Sequence, residues 1–495
     1  MSVSSRHHLS TSPPALHEEL FRNTSRRWIF NETDRLNERF VKFQPAELQR
    51  IAGEAVQHDY CPHISKLAEG GFNKVFTLQA RDGREVIARI PTPIAGPLYY
   101  TTASEVAIMD FLRVVLKLPI PKYILMERVE GESLSSRWLS LTTDEVKDVM
   151  TQITDIERKI FDFHFPAYGS LYYKRDPDGE TQIPTMEDFV IGPVSARQFW
   201  HGERNKTAID RGPWLSPVEC VTAAARREMA VIQHHAKAQP RQTFLPPTDY
   251  DIHPSEHSSA PTLRHPDLSL GNILLAPGST KIVSIIDWQD AVIFPRFMQA
   301  GYPAFCEYDF SQPQSLQIPS LPDHFDEMDI EEQRQSRAIL RLKEANFYYT
   351  AATGVHNNQH MDYLLRQTGY PWDADVINLR AALVGITTPS IWSKISSVVC
   401  PIVFTDEERE VAIAESREWN ESEQLLSQVR EHLNIDLEGG TEPDNFERAV
   451  EGNRQFRTEM VRQAEADQQE ICWRHWPYKD KEDKSMAPPE INSAL

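Results

Sequence analysis

The strongest constraint on the fold of this 495-residue chain is a pair of short apolar runs separated by a Pro-Gly turn. The runs cover residues 273–276 and 281–286, with Pro-Gly-Ser-Thr between them. Segments rich in Ile, Leu and Val around such a turn are typical of a β-hairpin. Because an antiparallel hairpin brings its two ends together, Asn272 and Asp287 are predicted to lie roughly 5 Å apart. Their side-chain oxygens would then reach one hard cation such as Mg²⁺.

A second polar set precedes the hairpin. His265, Asp267 and Asn272 fit the pattern H-x-D-L-x-x-x-N. In this pattern the Asp handles the proton of a nucleophile and the Asn holds a magnesium ion. We expect His265 to orient the loop through hydrogen bonds and not to react. Taken singly these residues are ordinary turn formers, but their order around a hairpin favours a catalytic loop at 265–272 followed by a metal motif at 287–288.

A glycine pair begins the strand-like part of the chain. Gly70 and Gly71 allow the backbone to bend closely over phosphates, whose charge exposed N–H groups can meet. The pair is weaker than G-x-G-x-x-G, because Asn73 stands close to where a further Gly would be expected. A lone Gly-Gly is more often only a turn. Its place before two strands predicted at 74–79 and 85–90 nevertheless favours a nucleotide-binding loop.

A basic and an acidic residue follow in the order that kinases use to hold phosphates. Arg89 lies on the second strand, where protein kinases have Lys, and an Arg there is not a neutral exchange. Glu105 lies at the start of a helix predicted over 104–116. It has a second interpretation, since Thr102-x-x-Glu105 is a capping-box pattern. Lys74 could supply the charge instead, but strand alternation points it away from the face of its neighbours.

A third short strand, predicted at 123–129, supplies a candidate hinge. Its backbone groups near Met126 and Val129 would meet the adenine of a nucleotide. Apolar residues are equally expected in any buried strand, so this assignment depends on the others. Farther along, residues 330–352 and 405–432 have the amphipathic pattern of helices.

The composition argues against several classes of protein. The net charge of −20 argues against a general binder of nucleic acid or anionic membranes. The five cysteines are scattered and lack C-x-x-C spacing, which indicates a reducing compartment and no zinc ribbon. No run of 18 apolar residues is present, so no membrane span is predicted. Asp251, His253 and His257 have metal-like spacing, but they lie in a Pro- and Ser-rich stretch and are interpreted as a solvated loop.

Strands followed by helices predict an α+β fold with a small β-rich lobe and a large helical lobe. Residues 1–22 are expected to be a disordered tail or a transit peptide, since the first 17 residues are rich in Ser and contain neither Asp nor Glu. Residues 23–132 are expected to form an N-terminal extension and nucleotide-binding lobe, and residues 133–475 the mainly helical lobe. Residues 476–495 are charged and then Pro-rich, which predicts a disordered tail.

Taken in order, these residues resemble the aminoglycoside phosphotransferase family within the bilobal protein-kinase-like fold. The Ile-Asp-Trp at 286–288 is similar to that family and departs from the D-F-G of protein kinases. The stretches EGGFNKVF, FPAYGSLYY and HPDLSLGNILL resemble the subgroup called altered inheritance of mitochondria protein 9. The resemblance implies ATP and Mg²⁺ as cofactors, Asp267 as the base, and Asn272 and Asp287 as the metal ligands. The subgroup name also implies a mitochondrial location.

The resemblance implies transfer of phosphate from ATP to a hydroxyl group on a small molecule, as in aminoglycoside and choline kinases. No A-P-E triplet follows Asp287, so the usual activation segment of protein kinases is missing. The long stretch between Val129 and Asp267 is also typical of the inserted helices with which such enzymes build a substrate pocket. The acceptor and the oligomeric state stay open.

One departure from the family pattern supports a second hypothesis. Residues 116–122 run directly from the helix into the hinge strand, where the family has a further strand and turn. A sheet shortened in this way would expose a strand edge. Together with Arg89 and the weak glycine motif, this favours a non-catalytic kinase-like scaffold supporting mitochondrial maintenance. The presence of Asp267, Asn272 and Asp287 together favours the enzyme.

Overall fold

The computed structural model describes residues 18–121, 125–127, 130–176, 181–186, 188–235, 260–299, 301–307, 318–364, 403–463 and 476–480, with some residues between 380 and 400 and residues 469 and 473. Its α-helices are α1 (Glu18–Phe21), α2 (Glu32–Glu38), α3 (Pro45–Ala55), α4 (Leu98–Asp110), α5 (Leu134–Arg137), α6 (Thr143–Phe161), α7 (Pro217–His235), α8 (Ile330–His356), α9 (Asn358–Leu364), α10 (Asp406–Leu433) and α11 (Phe446–Gln463). Its strands are β1 (Arg27–Trp28), β2 (His63–Glu69), β3 (Asn73–Gln79), β4 (Glu85–Pro91), β5 (Leu125–Glu127), β6 (Glu132–Ser133), β7 (Ser170–Tyr173), β8 (Ile183–Pro184), β9 (Phe189–Gly192), β10 (Pro261–Leu263), β11 (Ile273–Leu275), β12 (Ile282–Ile285), β13 (Ile293–Pro295) and β14 (Gly440–Thr441).

Three long helices, α6, α8 and α10, begin with a reciprocal cap that is visible in the sequence. In each, a Thr or Asp accepts the N–H of a Glu three residues later, and that Glu accepts the N–H of the capping residue. The capping pairs are Thr142 with Glu145, Asp329 with Glu332, and Thr405 with Glu408. The helices predicted over 330–352 and 405–432 are confirmed. Among the described residues, no helix combines the length and the apolar character needed to cross a membrane.

The chain divides into two compact units. The first unit comprises residues 1–84, 89–94 and 376–495, and the second comprises residues 85–88 and 95–375. This division differs from the predicted lobes, because the C-terminal part of the chain belongs with the N-terminal part. The sequence could not show this, since the pairing that joins the two ends is between strands of two residues each.

In the first unit the C-terminal segment packs against the N-terminal one. β1 pairs antiparallel with β14, and Trp476 and Tyr478 are buried in one cluster with Ile29 and residues of α10 and α11. The predicted disordered tail is therefore wrong for residues 476–480, because burial of two aromatic rings outweighs the charged composition. Residues 481–495 lie outside the described residues.

The N-terminal extension of the first unit is also packed. Phe21 of α1 lies edge to face on Phe43, with ring centroids 5.1 Å apart, and Phe43 contacts Phe76 of β3 at 5.1 Å. The prediction of a tail over 1–22 is therefore wrong for its last residues. The first 17 residues lie outside the described part of the chain.

In the second unit β4 pairs antiparallel with β5, with Ile87 opposite Met126. In the described part of the chain β5 has no strand on its other side. Residues 116–121 contain no strand, and residues 122–124 lie outside the described residues. The predicted shortening of this sheet is thus confirmed for the residues described. β5 is only three residues long, which limits the number of exposed backbone groups at the edge.

The main core of the second unit lies between α6 and a small sheet in which β11 pairs with both β12 and β6. One face of α6 is apolar and buried, and it packs against α8 on another side. Ile153 of α6, Ile273 and Ile285 of the hairpin and Trp288 belong to one buried cluster. The hairpin and the residues that flank it are therefore held on a rigid support.

Three strands interrupt the part of the second unit that was predicted to be mainly helical. They form an antiparallel sheet in the order β7-β9-β8, with Tyr172 opposite Val190. All four residues of β9 are buried, so its sequence shows no alternation of apolar and polar residues. A short, fully buried strand has no period that separates it from a buried helix, and this explains why these three strands were not predicted within a part of the chain that is otherwise mainly helical.

Candidate active site

The predicted hairpin at the centre of the second unit forms. β11 and β12 pair antiparallel with Ile273 opposite Ile285. At the turn, Gly278 has a φ of 65°, which glycine adopts without the strain that a side chain would add. The turn is closed by the N–H of Ala276, which donates to the carbonyl oxygen of Lys281 at 2.9 Å.

The open end of the hairpin carries two of the predicted site residues. The N–H of Ile286 donates to the carbonyl oxygen of Asn272 at 3.0 Å, so Asn272 and Asp287 flank the last rung of the hairpin. The side-chain Nδ2 of Asn272 donates to the carbonyl oxygen of Asp267 at 2.8 Å. This bond attaches the loop to the hairpin and leaves the Oδ1 atom of Asn272 as the acceptor end of the amide.

His265 joins the same loop to the end of β12. Its Nε2 lies 3.0 Å from the carbonyl oxygen of Ile286, and its Nδ1 accepts the N–H of Asp267 at 3.1 Å. An acceptor at Nδ1 requires the proton of the neutral ring to be on Nε2. The ring also packs edge to face on Trp288 at 4.5 Å, whose Nε1 donates to the carbonyl oxygen of Ile285 at 3.2 Å. Both ring nitrogens are thus engaged in bonds that hold the loop.

Asp287 lies close enough to Asp267 for its charge to act on the Asp267 carboxyl. Partial burial raises the pKa of Asp267, and the nearby carboxylate of Asp287 raises this pKa further. Asp267 is exposed at the surface of the loop, so solvent reaches it. A carboxylate with a raised pKa is a stronger proton acceptor than an ordinary aspartate.

A further carboxylate, Asp290, lies beside this pair. Its backbone has a φ of 64°, and its carboxylate accepts the backbone N–H of Arg197. Burial raises the pKa of Asp290 to about 7, and the charges of Glu105 and Asp287 add to the increase. Among the described residues, Oδ1 of Asp290 has no hydrogen-bond partner. The second unit therefore concentrates acidic groups around Asp287.

The chemistry of these donors fits magnesium. Asn272 and Asp287 offer an amide oxygen and a carboxylate, and Mg²⁺ is commonly held by one or two such groups together with the phosphates of a substrate. Within the described residues, no group of three or more His, Cys, Asp or Glu has the geometry of a metal site. Asn272 and Asp287 would thus supply two protein ligands, with phosphates and water as the others.

In the first unit, Gly70 and Gly71 form the turn between β2 and β3. The N–H of Gly70 donates to the carbonyl oxygen of Asn73 at 2.9 Å. Neither glycine has a positive φ, so the turn does not use the backbone freedom on which the prediction was based. Open space lies beside the turn, because a Cβ on Gly71 would have no atom within 4 Å.

Lys74, the other candidate for a phosphate ligand, is fully buried on the opposite side of the hairpin from its neighbours. Its ammonium pairs with the carboxylate of Glu69 and donates to the carbonyl oxygen of Arg22 at 2.9 Å. The prediction that strand alternation points Lys74 away from its neighbours is confirmed. The ammonium of Lys74 is therefore already paired within the protein.

Arg89 and Glu105 fall in different units. Arg89 is half-buried in β4, and Glu105 is buried in α4, with 5% exposure. The capping-box interpretation of Glu105 is wrong, because α4 begins earlier, at Leu98, and Glu105 lies inside it. The helix begins there because Gly96 has a φ of 130°, which no helix contains. The pairing of Arg89 with Glu105 stays a prediction.

The proposed hinge is only partly described. Met126 lies in β5, and Val129 lies outside the described residues, as do Asp251, His253 and His257.

Two residues near the site, Arg264 and Asp290, were not predicted. Arg264 directly precedes His265, and a charged residue between Leu263 and the loop was an available signal. For Asp290 the sequence offers no signal, since an Asp after Trp-Gln is an ordinary turn residue until its burial is known.

The stretch that contains these residues matches a known family. A model of the phosphotransferase enzyme family known as APH matches residues 63–302. A subtelomeric hrmA-associated cluster protein of Aspergillus fumigatus is 69% identical, with 88% of this chain and 100% of the relative covered.

Two more distant relatives carry the name altered inheritance of mitochondria protein 9, mitochondrial. The one from Komagataella phaffii is 24% identical over 57% of this chain and 55% of its own length. The one from Lodderomyces elongisporus is 26% identical over 55% of this chain and 52% of its own length. A solved structure of the GDP and kanamycin complex of APH(2")-IIia is 13% identical and covers 62% of this chain and 92% of that chain, with a TM-score of 0.28.

Proposed function

Since the chain belongs to the APH phosphotransferase enzyme family, we propose that it is an ATP-dependent kinase that phosphorylates a hydroxyl group on a small molecule. The observation that carries the proposal is the arrangement of three residues around one hairpin end. Asp267 is held by His265 and by the amide of Asn272, and Asn272 is held beside Asp287 by the last rung of the hairpin. This arrangement matches the division of roles in phosphoryl transfer, which needs a base and two metal ligands in fixed positions.

In the proposed reaction, the hydroxyl oxygen of the acceptor attacks the γ-phosphorus of ATP, the bond to the β-phosphate oxygen breaks, and ADP leaves. The acceptor's hydroxyl proton passes to the carboxylate of Asp267. Its raised pKa favours that transfer. His265 does not react, because both of its nitrogens hold the loop in place.

Asn272 and Asp287 would hold the magnesium ion. When bound, magnesium neutralises charge on the phosphates during transfer. The protein's contribution is to hold the two oxygen donors on a hairpin that packs into the core of the second unit.

Further residues are proposed to hold the nucleotide. The Gly70-Gly71 turn offers open space beside backbone N–H groups. Arg89 would bind phosphate and pair with Glu105, and the backbone near Met126 and Val129 would meet adenine. These assignments rest on the order of the residues in the sequence and on the family.

The insertion between hinge and catalytic loop favours a small-molecule acceptor over a protein. It contains α6, α7 and the β7-β9-β8 sheet, and no A-P-E triplet follows Asp287. The acceptor itself is not defined by these features.

We further propose a mitochondrial location. Two observations support it: the names of the distant relatives, and the Ser-rich composition of residues 1–17, which contain neither Asp nor Glu.

A second function, a kinase-like scaffold with little or no activity, is favoured by one structural observation. The described residues give β5 no neighbouring strand on its outer side, next to the proposed hinge. The substitution of Arg89 for the usual Lys points the same way. A turnover assay distinguishes the two functions, because a kinase forms product and such a scaffold forms little or none.

The test is thermal stability with and without Mg-ATP, measured for the wild type and for Asp287→Ala in parallel. Stabilisation of the wild type alone, about 2.7 kcal/mol at a ligand concentration about 100 times the dissociation constant, is expected for a working site. Turnover is then screened against hydroxyl-bearing small molecules. Binding without turnover in the whole screen would favour the scaffold, and no stabilisation at millimolar Mg-ATP would contradict the kinase.

A further inference from the structure

The base of the Gly70-Gly71 turn is tied to the N-terminal extension through Glu69. Glu69 is the last residue of β2, and its side chain is only 2% exposed. Its Oε2 accepts the backbone N–H groups of Thr24 at 2.7 Å and Ser25 at 3.2 Å. Its Oε1 pairs with the ammonium of Lys74 and lies 3.3 Å from Nζ of Lys66.

The two lysines bind the same N-terminal segment from the other direction. Nζ of Lys66 and Nζ of Lys74 donate to the carbonyl oxygen of Arg22 at 2.8 and 2.9 Å. The hydroxyl of Ser25 donates to the carbonyl oxygen of Glu69 at 3.2 Å. We call residues 22–25 the N-terminal clamp. The N–H groups of Thr24 and Ser25 donate to the carboxylate of Glu69. The carbonyl oxygen of Arg22 accepts from the ammonium groups of Lys66 and Lys74. Each backbone group of the clamp thus has a charged side-chain partner on the β2–β3 hairpin.

A shift in strand register makes this arrangement possible. Lys66 lies opposite Phe76, whereas Ala68 lies opposite Val75, so Leu67 is an extra residue in β2. In a regular strand, Lys66 and Glu69 would face opposite sides, because side chains alternate. The extra residue turns Glu69 onto the same side as Lys66, which is the characteristic effect of a β-bulge.

The pKa shifts of Glu69 and Lys74 indicate that each buried charge is stabilised by the other. Burial alone would raise the pKa of Glu69, but the bonds from Lys74 and from the Thr24 N–H more than offset burial and lower it. Burial lowers the pKa of Lys74, partly offset by Glu69. Removing either charge leaves the other buried without its counterion, which is costly.

The clamp contacts Glu69 and Lys74, the two residues that flank the turn. Glu69 pairs with Lys74 in the last rung before the turn, and the turn between them is closed by the bond from Gly70 to Asn73. A Cβ on Gly71 would touch nothing. The position of the turn is therefore set at its base.

We propose that Glu69 is a positioning residue for nucleotide binding, through which the N-terminal clamp holds the Gly70-Gly71 turn in place for the phosphates of ATP. The proposal rests on the proposed function, since it assigns the turn to the nucleotide. It makes a segment more than forty residues upstream part of the nucleotide site.

The experiment uses the full chain and compares Glu69→Gln with wild type. The change keeps the size of the side chain and removes its charge. A second variant, Glu69→Gln with Lys74→Met, removes both charges. It leaves neither Glu69 nor Lys74 charged and buried without a counterion, so it is expected to fold even if the single variant does not. Glu54→Gln is the matched control, because it makes the same substitution in the same unit at a side chain that is 60% exposed and pairs with Arg50 outside the clamp. Dissociation constants for Mg-ATP are measured, and amide hydrogen exchange is followed at residues 70–73.

We expect both Glu69 variants to bind Mg-ATP about tenfold more weakly, since small displacements of a positioned group are costly. Exchange at residues 70–73 should be faster in both, and Glu54→Gln should match the wild type. Folded variants with wild-type affinity and wild-type exchange would overturn the proposal. If the wild type does not bind Mg-ATP, the proposed function fails, and the exchange data alone decide whether the clamp holds the turn.

Discussion

Nε of Arg264 lies 3.3 Å from Oε1 of Glu157, directly behind the loop that begins with His265. Both side chains are largely buried. The guanidinium also donates to the carbonyl oxygens of Gln299 at 2.9 Å and Gly301 at 2.7 Å. The pair therefore joins α6 to the start of the catalytic loop.

Replacing Arg264 with Met should destabilise the protein by about 3–5 kcal/mol, because the carboxylate of Glu157 would remain buried without its counterion. Urea unfolding measures this change. The exposed pair of Arg334 with Glu331 provides the control, and Arg334→Ala should change the free energy of unfolding by less than about 1 kcal/mol. Equal changes in the free energy of unfolding for the two substitutions would contradict the prediction that the buried pair stabilises the protein more than the exposed pair does.

Asp267→Asn should lower turnover by about 10²- to 10⁴-fold, the usual contribution of a positioned base, and leave the affinity for Mg-ATP unchanged. In the wild type, kcat/KM should fall as the pH is lowered through the raised pKa of Asp267, because only its deprotonated form accepts the proton. Steady-state rates across pH, with ATP binding measured separately, check both points. A variant with normal turnover would remove Asp267 from the mechanism.

Asp290 gives a pH dependence of stability. Its pKa of about 7, against an ordinary value of 3.8, means that the folded protein keeps a proton that the unfolded chain has lost between about pH 4 and pH 7. Stability should therefore fall as the pH rises through that range. The full difference corresponds to at most roughly 4 kcal/mol.

Asp290→Asn keeps the shape of the side chain without its charge. Relative to the wild type, the variant should gain stability between pH 4 and pH 8, measured as unfolding midpoints without magnesium. Parallel pH profiles for the two proteins would contradict the assigned burial.

Substitutions in the two glycine-containing turns should distinguish an effect on Mg-ATP binding from an effect on stability. Gly71→Ala meets no atom within 4 Å and needs no unusual φ, so it should leave stability unchanged and weaken Mg-ATP binding by filling the space beside the turn. Gly278→Ala also meets no atom, but its φ of 65° should cost about 1–2 kcal/mol, with Mg-ATP affinity preserved. Thermal melts and binding of Mg-ATP by both variants test the contrast. Unchanged Mg-ATP affinity of Gly71→Ala would argue against a nucleotide beside this turn.

The parts of the site that could be predicted are local in sequence. The hairpin between Asn272 and Asp287 follows from a Pro-Gly turn between two β-branched runs, and the loop from His265 follows from a motif within a few residues of it. The capping boxes of the long helices are local too. In each case the interaction that decides the structure lies within the segment itself.

The parts that could not be predicted depend on residues far apart in the chain. The packing of Trp476 and Tyr478 against the N-terminal segment, the register shift at Leu67 and the burial of Asp290 all have partners that no local pattern names. The β7-β9-β8 sheet belongs with them, because burial on both faces removes the alternation that marks a strand.

The family resemblance, the α+β class and the order of the candidate catalytic residues could thus be predicted from the sequence, since these depend on motifs and on short-range periodicity. Which charges are buried together depends on the folded structure. The environment of Glu69, Arg264 and Asp290 is created by segments that meet only after folding, and burial is what turns an ordinary charged residue into one that positions a loop or shifts a pKa.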